Sequence, residues 1–193
     1  MDVIFSDNDN CYLNICMFEN TTLIDNVIED IKDLLDEKPE IFIYGKLCHQ
    51  QRDIGFFSDG SIGYHYFNQL ARSKPLTENL YVLLDEINTK FNSQFNGILI
   101  NRYNDGEDYI SAHSDDEKGL DPIGVVALSY GAERTFRIRT KFDKKIKCDL
   151  ITRSYQIIHM GGNQFQKTYT HEIPKTKKCK NVRYSLTFRK HMI

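Results

Sequence analysis

The fold is decided by the segment VRYSLTFR at residues 182–189, which alternates strictly between apolar and polar side chains. Because successive side chains of a β-strand point to opposite faces, one face carries only apolar residues: Val182, Tyr184, Leu186 and Phe188. The other face carries Arg183, Ser185, Thr187 and Arg189. The segment is therefore predicted to be a strand with one face in a hydrophobic core and two arginines on the opposite face.

Four more strand-like segments precede this one, and each is short and rich in β-branched and aromatic residues. They are GILINRY at 97–103, IGVVALSY at 123–130, RTFRIR at 134–139 and RSYQIIHM at 153–160. Apolar side chains at helical spacing predict two earlier helices, at 22–35 and 77–92, with Thr77 as the N-cap of the second. Helices followed by five or more strands predict an α+β fold, an antiparallel sandwich or barrel with N-terminal helices that cover the sheet.

The two arginines on the polar face of 182–189 have two possible environments. If this face meets solvent, the segment is an ordinary edge strand. If it points into a barrel, two buried guanidinium groups require anionic partners. Six residues of strand span about 20 Å. If the side chains of both arginines extend toward each other along the strand, the distance left between their guanidinium groups matches the length of a five-carbon dicarboxylate such as 2-oxoglutarate.

The strand-like segment 97–103 supports the second environment. Asn101 and Tyr103 face the same side of it, so an amide and a phenol could add neutral hydrogen bonds to the same ligand. The alternative is that these residues only end a strand before the turn-forming sequence Asn104-Asp105-Gly106.

A candidate metal site begins at His113-Ser114-Asp115, which follows strand-like residues. In an extended segment, side chains two residues apart point the same way, so one imidazole and one carboxylate can reach the same point. His171 is the best candidate for a third ligand, and two histidines with one carboxylate favour non-heme Fe(II). The alternative is a hydrogen-bonded structural histidine beside an aspartate that caps a turn. His159, in the apolar run IIHM, is interpreted as a core histidine.

Composition indicates the class of protein. The 193-residue chain has no apolar run long enough to span a bilayer, and its first ten residues lack the features of a secretory signal. Five cysteines without CxxC spacing favour a reducing compartment, so we expect an intracellular protein with no membrane attachment.

Charge is distributed unevenly along the chain, although its formal net charge is only −2. Residues 1–40 hold 11 acidic and 2 basic side chains, whereas residues 134–190 hold 16 basic and 3 acidic ones. This asymmetry predicts a basic face that could meet phosphates, with the lysine-rich segments 141–147 and 175–180 as candidates. The alternative is a solvated surface with lysine-rich loops.

Taken together, the segments in the second half of the chain resemble the AlkB family. The resemblance rests on NRYNDG at 101–106, Tyr109-Ile110, HSDDE at 113–117, PIGVVALSYGAERTF at 122–136, HEIP at 171–174 and 183–189. It implies a double-stranded β-helix, or jelly-roll, that binds Fe(II) through His113, Asp115 and His171. It also implies that Arg183, helped by Asn101 and Tyr103, binds the distal carboxylate of 2-oxoglutarate, and that Arg189 lies near its other carboxylate. Family members often carry Asn where this chain has Ser185.

The first half resembles one branch of that family, the duplex-DNA repair enzymes of the AlkB-homologue-2 type. The matching residues are IYGK at 43–46, Gln51-Arg52 and YHY at 64–66. The resemblance implies substrate contacts from Ile43, Tyr44, Arg52, Tyr64, Tyr66 and Glu117. Ile43 and Tyr44 would form a finger that enters the duplex, and Tyr66 would stack on a flipped base opposite His113. The alternative is that IFIYGK is a plain strand and turn, and that Tyr64 and Tyr66 are core aromatics.

The resemblance implies oxidative removal of alkyl groups from bases such as 1-methyladenine and 3-methylcytosine, with Fe(II), 2-oxoglutarate and O2. The expected partner is alkylated DNA, with RNA as an option, and we expect a monomer. We predict one domain over 1–193, in which 1–96 supply helical support and a nucleotide-recognition lid and 97–193 the catalytic double-stranded β-helix. Two alternatives stay open at this point: an oxygenase that acts on RNA or protein, and a nucleic-acid-binding module without catalysis.

Overall fold

The structure is a computed structural model that describes residues 1–8, 10–43, 45–66, 69–115 and 121–191; within these ranges, the side chains of residues 43, 64–66 and 69–71 are not described. This part of the chain holds fifteen strands and three helices. The strands are β1 Asp2–Asn8, β2 Cys11–Met17, β3 Glu40–Ile43, β4 Lys46–His49, β5 Asp53–Phe57, β6 Gly63–Tyr66, β7 Gln69–Arg72, β8 Gly97–Tyr103, β9 Ile110–His113, β10 Gly124–Gly131, β11 Thr135–Thr140, β12 Ile146–Ile151, β13 Gln156–Gly161, β14 Tyr169–Ile173 and β15 Arg183–Arg189. The helices are α1 Thr21–Ile31, α2 Glu78–Phe91 and α3 Phe165–Thr168.

Two antiparallel sheets form the body of the molecule. The major sheet has the strand order β1-β2-β13-β10-β15-β8-β5, and the minor sheet has the order β12-β11-β14-β9. Apolar side chains from both sheets form one buried cluster, in which Val125, Ile158 and Met160 of the major sheet join Phe136 and Ile173 of the minor one. This arrangement is the double-stranded β-helix that the sequence predicted.

The outer face of the major sheet is covered by α1 and α2. Both helices bury an apolar stripe against strands β8, β10 and β15, in the largest hydrophobic cluster among the described residues. Thr77 caps α2 as predicted, because its Oγ1 accepts a hydrogen bond from the backbone N–H of Leu80 at 3.2 Å. The prediction that N-terminal helices pack on the sheet is therefore confirmed.

Strand β15 lies between β10 and β8, and its two faces have the environments that its alternation suggested. Tyr184, Leu186 and Phe188 belong to the cluster beneath the helices. The opposite face, Arg183, Ser185, Thr187 and Arg189, lines a cavity between the sheets. The edge-strand interpretation of this segment is therefore wrong.

Helix α1 is shorter than the predicted 22–35, because it ends at Ile31. Five residues further on, the backbone of Asp36 exchanges two hydrogen bonds with the backbone of Ile54, at 2.8 and 3.0 Å. This bridge draws the chain away from the helical path, and apolar spacing alone does not reveal it.

The first 96 residues contain more strands than the sequence analysis expected. Strands β1, β2 and β5 come from this half and belong to the major sheet, where β2 pairs with β13 and β5 pairs with β8. The division predicted at residue 96 therefore does not coincide with a boundary in the sheet. Strands β2 and β5 were missed because their partners are distant in sequence, and the pairing supplies most of what makes such short segments extended. Strand β1 joins the sheet through its pairing with β2.

Candidate active site

Three side chains named from the sequence come together at one edge of the minor sheet. His113 is the last residue of β9 and lies opposite His171 of β14, while Asp115 follows β9 by two residues. Potential ligand atoms of the three side chains all lie within 4.8 Å of one another. Asp115 Oδ1 is 3.7 Å from His113 Nε2, and its Oδ2 is 3.6 Å from His171 Nε2.

The two imidazoles are held in fixed orientations. His113 Nδ1 lies 2.9 Å from the carbonyl oxygen of Ser111, to which it can donate its proton, so that the lone pair of Nε2 faces Asp115. The ring of His171 stacks on Phe136, with centroids 5.4 Å apart, and the two histidine rings are 4.2 Å apart. A hydrogen bond on the far nitrogen is the usual way in which a protein orients a metal-binding histidine.

The electrostatic surroundings keep all three groups in the form that binds metal. Burial is the main reason that the pKa of His171 falls to about 3, and the neighbouring His113 lowers it further. Burial also lowers the pKa of His113. For Asp115, burial alone would raise the pKa, but Arg189 and the two imidazoles together lower it below the ordinary value. At neutral pH the site therefore offers two neutral imidazoles and one carboxylate.

The carboxylate of Asp115 is only partly compensated by protein groups. Arg189 Nη2 lies 2.9 Å from Oδ1, and both side chains are almost fully buried. Asp115 Oδ2 has no hydrogen-bond partner among the described residues. A buried carboxylate oxygen without a donor is costly, and a cation between it and the two Nε2 atoms would remove that cost. Two histidines and one carboxylate are the donor set of non-heme Fe(II), so the residues present fit that metal.

A cavity between the two sheets adjoins this cluster. Among its described lining residues, three are arginines, Arg52, Arg183 and Arg189, against the single carboxylate of Asp115. An excess of buried cations favours an anionic ligand, because charges removed from water require compensation.

Arg183 is positioned by two hydroxyl groups. Its Nη2 donates to Ser129 Oγ at 3.0 Å and its Nε donates to Thr152 Oγ1 at 3.3 Å, while the ring of Tyr103 lies 5.3 Å from its Cζ. The Nη1 atom has no hydrogen-bond partner among the described residues. Burial lowers the pKa of Arg183 to about 10, so the guanidinium still carries its proton at neutral pH.

Arg52 and Asn101 form a second polar pair in the cavity wall. Arg52 Nε donates to Asn101 Oδ1 at 2.6 Å, and both side chains are buried. Because the carbonyl group of Asn101 is used in this way, its amide nitrogen is left to donate.

A surface groove lies beside the cavity, and its walls are residues 48–52 and 109–113 with Ile41. Three residues line both the groove and the cavity: Arg52, Ile110 and His113. The groove therefore adjoins the cavity at His113.

Five of the six residues predicted to contact substrate have side chains outside the described part of the structure. Tyr44 and Glu117 lie outside the described residues, as do the side chains of Ile43, Tyr64 and Tyr66. Their roles stay predictions.

Four side chains that support the site were not predicted from the sequence: Ser129, Arg134, Thr152 and Gln166. Arg134 is buried and donates to three backbone carbonyl groups, those of Asp105, Asp108 and Pro174, at 2.8 to 2.9 Å. Ser129 could have been found from the alternation of β10, where it shares the inward side with Ala127. The remaining three have no sequence signal, because only tertiary packing brings them to the site.

A comparison with protein-family models matches residues 40–189 to the 2OG-Fe(II) oxygenase superfamily. The chain belongs to this superfamily. Membership implies Fe(II), 2-oxoglutarate and O2 as cofactor and cosubstrates, in agreement with the donor set of His113, Asp115 and His171.

Among similar proteins, this superfamily member is 27% identical over 185 residues to "DNA oxidative demethylase ALKBH2" of Arabidopsis thaliana, covering 79% of this chain and 57% of that protein. It is 28% identical to the human protein of the same name, covering 78% and 60%. It is 33% identical over 121 residues to "Alpha-ketoglutarate-dependent dioxygenase alkB homolog 3" of Mus musculus, covering 57% and 41%. The chain thus spans about three fifths of the length of the ALKBH2 relatives that it matches.

The structure is similar to the solved structure of OsALKBH1, with a TM-score of 0.59 and 16% sequence identity over 92% of this chain and 97% of that one. This likeness supports the fold alone. Among the described residues of this oxygenase, no helix is both long and apolar enough to cross a membrane.

Proposed function

We propose that this chain is an Fe(II)- and 2-oxoglutarate-dependent dioxygenase that removes alkyl groups from N-alkylated bases in DNA. The observation that carries the proposal is the cluster of His113, Asp115 and His171 beside a cavity with excess positive charge. The names of the ALKBH2 relatives support DNA as the substrate.

In this proposal, His113, Asp115 and His171 hold Fe(II). The metal, when bound, supplies oxidation of the N-alkyl C–H bond to a hydroxyl, coupled to decarboxylation of 2-oxoglutarate to succinate and CO2 by O2. The hydroxylated N-methyl group then leaves as formaldehyde, as its C–N bond breaks and the base nitrogen is restored.

The arginines would hold the two ends of 2-oxoglutarate. Arg183, preorganised by Ser129 and Thr152, is suited to bind the distal carboxylate through the Nη1 edge. The amide of Asn101 and the phenol of Tyr103 would add hydrogen bonds to the same group. Arg189 would lie near the opposite carboxylate while its contact with Asp115 keeps that ligand oriented.

The base would approach through the groove that adjoins His113. A lesion on the pairing edge of 1-methyladenine or 3-methylcytosine is inaccessible inside a duplex, so the base must be flipped or presented on a single strand. Stacking of the flipped base, by about 1–3 kcal/mol per base, would offset part of the unstacking cost. The predicted contacts from Tyr66 and from the 43–44 finger belong to this step, and we propose a monomer as the acting unit.

The proposal is tested by anaerobic reconstitution with Fe(II) and 2-oxoglutarate, followed by O2 and a DNA oligonucleotide that contains 3-methylcytosine. We expect formaldehyde and unmodified cytosine in equal amounts. The His113→Ala variant should lose turnover, by at least about 100-fold, whereas Lys90→Ala, an exposed residue on α2 outside the cavity and the groove, should not. Equal turnover by all three proteins would reject the metal assignment.

The same assay separates the alternatives. Methylated RNA and methylated peptide are compared with DNA under the same conditions, and faster turnover of either would replace DNA as the substrate class. Tight binding of the oligonucleotide without consumption of 2-oxoglutarate would favour a non-catalytic binding module.

A further inference from the structure

Asp115 is the one member of the His113, Asp115, His171 cluster that lies beyond its strand. His113 and His171 face each other across the pairing of β9 with β14, so the sheet itself fixes their backbones. Asp115 follows the last residue of β9 by two positions, and the ladder does not reach it. The main chain of Asp115 must therefore be held by a contact other than the pairing of β9 with β14.

A buried glutamine supplies that contact. The Oε1 atom of Gln166 accepts a hydrogen bond from the backbone N–H of Asp115 at 2.9 Å. Gln166 is only 2% exposed and belongs to α3, the short helix before the strand that carries His171. Its Nε2 atom faces Met160 Sδ at 3.6 Å, so both ends of the amide have a partner.

Ser114, the residue before Asp115, is held by a contact with β14. Ser114 Oγ donates to the backbone carbonyl oxygen of Tyr169 at 3.0 Å, two residues before His171. The segment from 113 to 115 is thus tied to β14 through Ser114 and to α3 through Gln166. Arg189, in contrast, contacts the side chain of Asp115.

We propose that Gln166 is a positioning residue for the carboxylate ligand. It holds the main chain of Asp115 so that the carboxylate faces His113 and His171, and in this way it sets the affinity of the site for metal. This inference rests on the proposed metal centre. Without Gln166, the N–H of Asp115 would be left buried without an acceptor, and the ligand would move to recover one.

The test is the affinity of the protein for Co(II) and Mn(II) under anaerobic conditions, followed by visible absorption of Co(II) and by calorimetry. Gln166→Met keeps the volume of the side chain and removes the acceptor. Loss of a group that orients a metal ligand typically weakens binding by about 10- to 100-fold, and we expect that loss together with a changed Co(II) spectrum. Gln166→Glu retains an acceptor oxygen and should recover most of the affinity.

The chain offers a matched control in Gln156, whose buried Oε1 also accepts a backbone N–H, that of Arg153, at 3.1 Å. Gln156→Met removes the same kind of hydrogen bond away from the metal ligands, so metal affinity should be unchanged. If Gln166→Met does not fold, Gln166→Asn replaces it, because the shorter side chain stays polar but withdraws the acceptor by one methylene. The same 10- to 100-fold loss is expected.

The outcomes distinguish this inference from the proposed function. If the unmodified protein binds neither metal more tightly than His113→Ala does, the metal centre itself is wrong. If the unmodified protein binds metal and the Gln166 variants bind it equally well with the same Co(II) spectrum, only the role of Gln166 is overturned.

Discussion

Buried charges at single residues determine how this site responds to substitution. Asp115 and Arg189 are almost fully buried and in contact, so each compensates the other in a region of low dielectric. Removal of one partner from such a pair is expected to cost more than removal of an exposed charge, because the remaining charge stays in the interior.

Asp115→Ala should therefore destabilise the metal-free protein by about 3–5 kcal/mol. The measurement is the free energy of unfolding in urea without metal. Glu133→Ala, which removes an exposed carboxylate 4.0 Å from Arg153, is the control and should change stability by less than about 1 kcal/mol. Equal effects of the two substitutions on stability would show that Asp115 does not compensate the buried charge of Arg189.

Arg183→Met should raise the KM for 2-oxoglutarate by about 10- to 100-fold, the loss expected for one or two hydrogen bonds to a charged group. The turnover rate at saturating 2-oxoglutarate should change much less, since Arg183 lies away from the metal ligands. The readout is 2-oxoglutarate consumption over a range of concentrations. Arg137→Met removes a partly buried arginine that pairs with Asp149 on the minor sheet, and the KM of this variant should match that of the unmodified protein. An unchanged KM for Arg183→Met would refute its role.

At the scale of elements, the hairpin of β3 and β4 lies outside the major and minor sheets. Its strands pair with each other in a separate two-stranded sheet. Phe42 and Leu47 lie opposite each other across the hairpin and are about half exposed. The described part of the hairpin thus presents apolar side chains to solvent, as expected of an element that contacts another molecule.

Tyr44→Ala should impair turnover of a duplex substrate more than that of a single strand, because the predicted finger fills the gap left by a flipped base. Stacking contributes about 1–3 kcal/mol per base, which corresponds to a duplex-specific loss of about 5- to 150-fold. The measurement is the ratio of kcat/KM values on the two forms of one oligonucleotide. Tyr81→Ala, an exposed tyrosine on α2, should leave the ratio unchanged. Equal losses on both forms would argue against the finger.

At the scale of the whole molecule, the charge asymmetry of the sequence is only partly a surface property. Arg134, Arg183 and Arg189 belong to the basic half but are buried. Further cations of this half have acidic partners; Lys147, for example, pairs with Asp7 and Lys175 with Glu107, both at 3.2 Å. The basic side chains that stay exposed include Lys177 and Lys178 in the segment 175–180.

The double variant Lys177→Ala/Lys178→Ala should weaken DNA binding independently of sequence. If each lysine contacts a phosphate, the slope of log K against log salt concentration should become shallower by about 2. Fluorescence anisotropy at several salt concentrations measures this slope. Lys90→Ala, on α2 across the major sheet from the cavity, should leave the slope unchanged. An unchanged slope in the double variant would exclude the segment from the interface.

The sequence by itself determined the features that depend on local pattern. The alternation of 182–189 predicted both faces of β15, helical spacing and Thr77 predicted α2, and the spacing of His113 and Asp115 predicted that they share one side. These three predictions were confirmed because side-chain direction in a strand and capping of a helix are properties of a few neighbouring residues.

Only the tertiary structure decided which distant segments meet. The contribution of β2 and β5 to the major sheet depends on partner strands more than 40 residues away. The contacts of Gln166 with Asp115 and of Ser129 with Arg183 also join residues more than 40 positions apart. A hydrogen bond between residues this far apart in sequence has no local pattern, because its geometry exists only after both sheets have closed around the shared cavity.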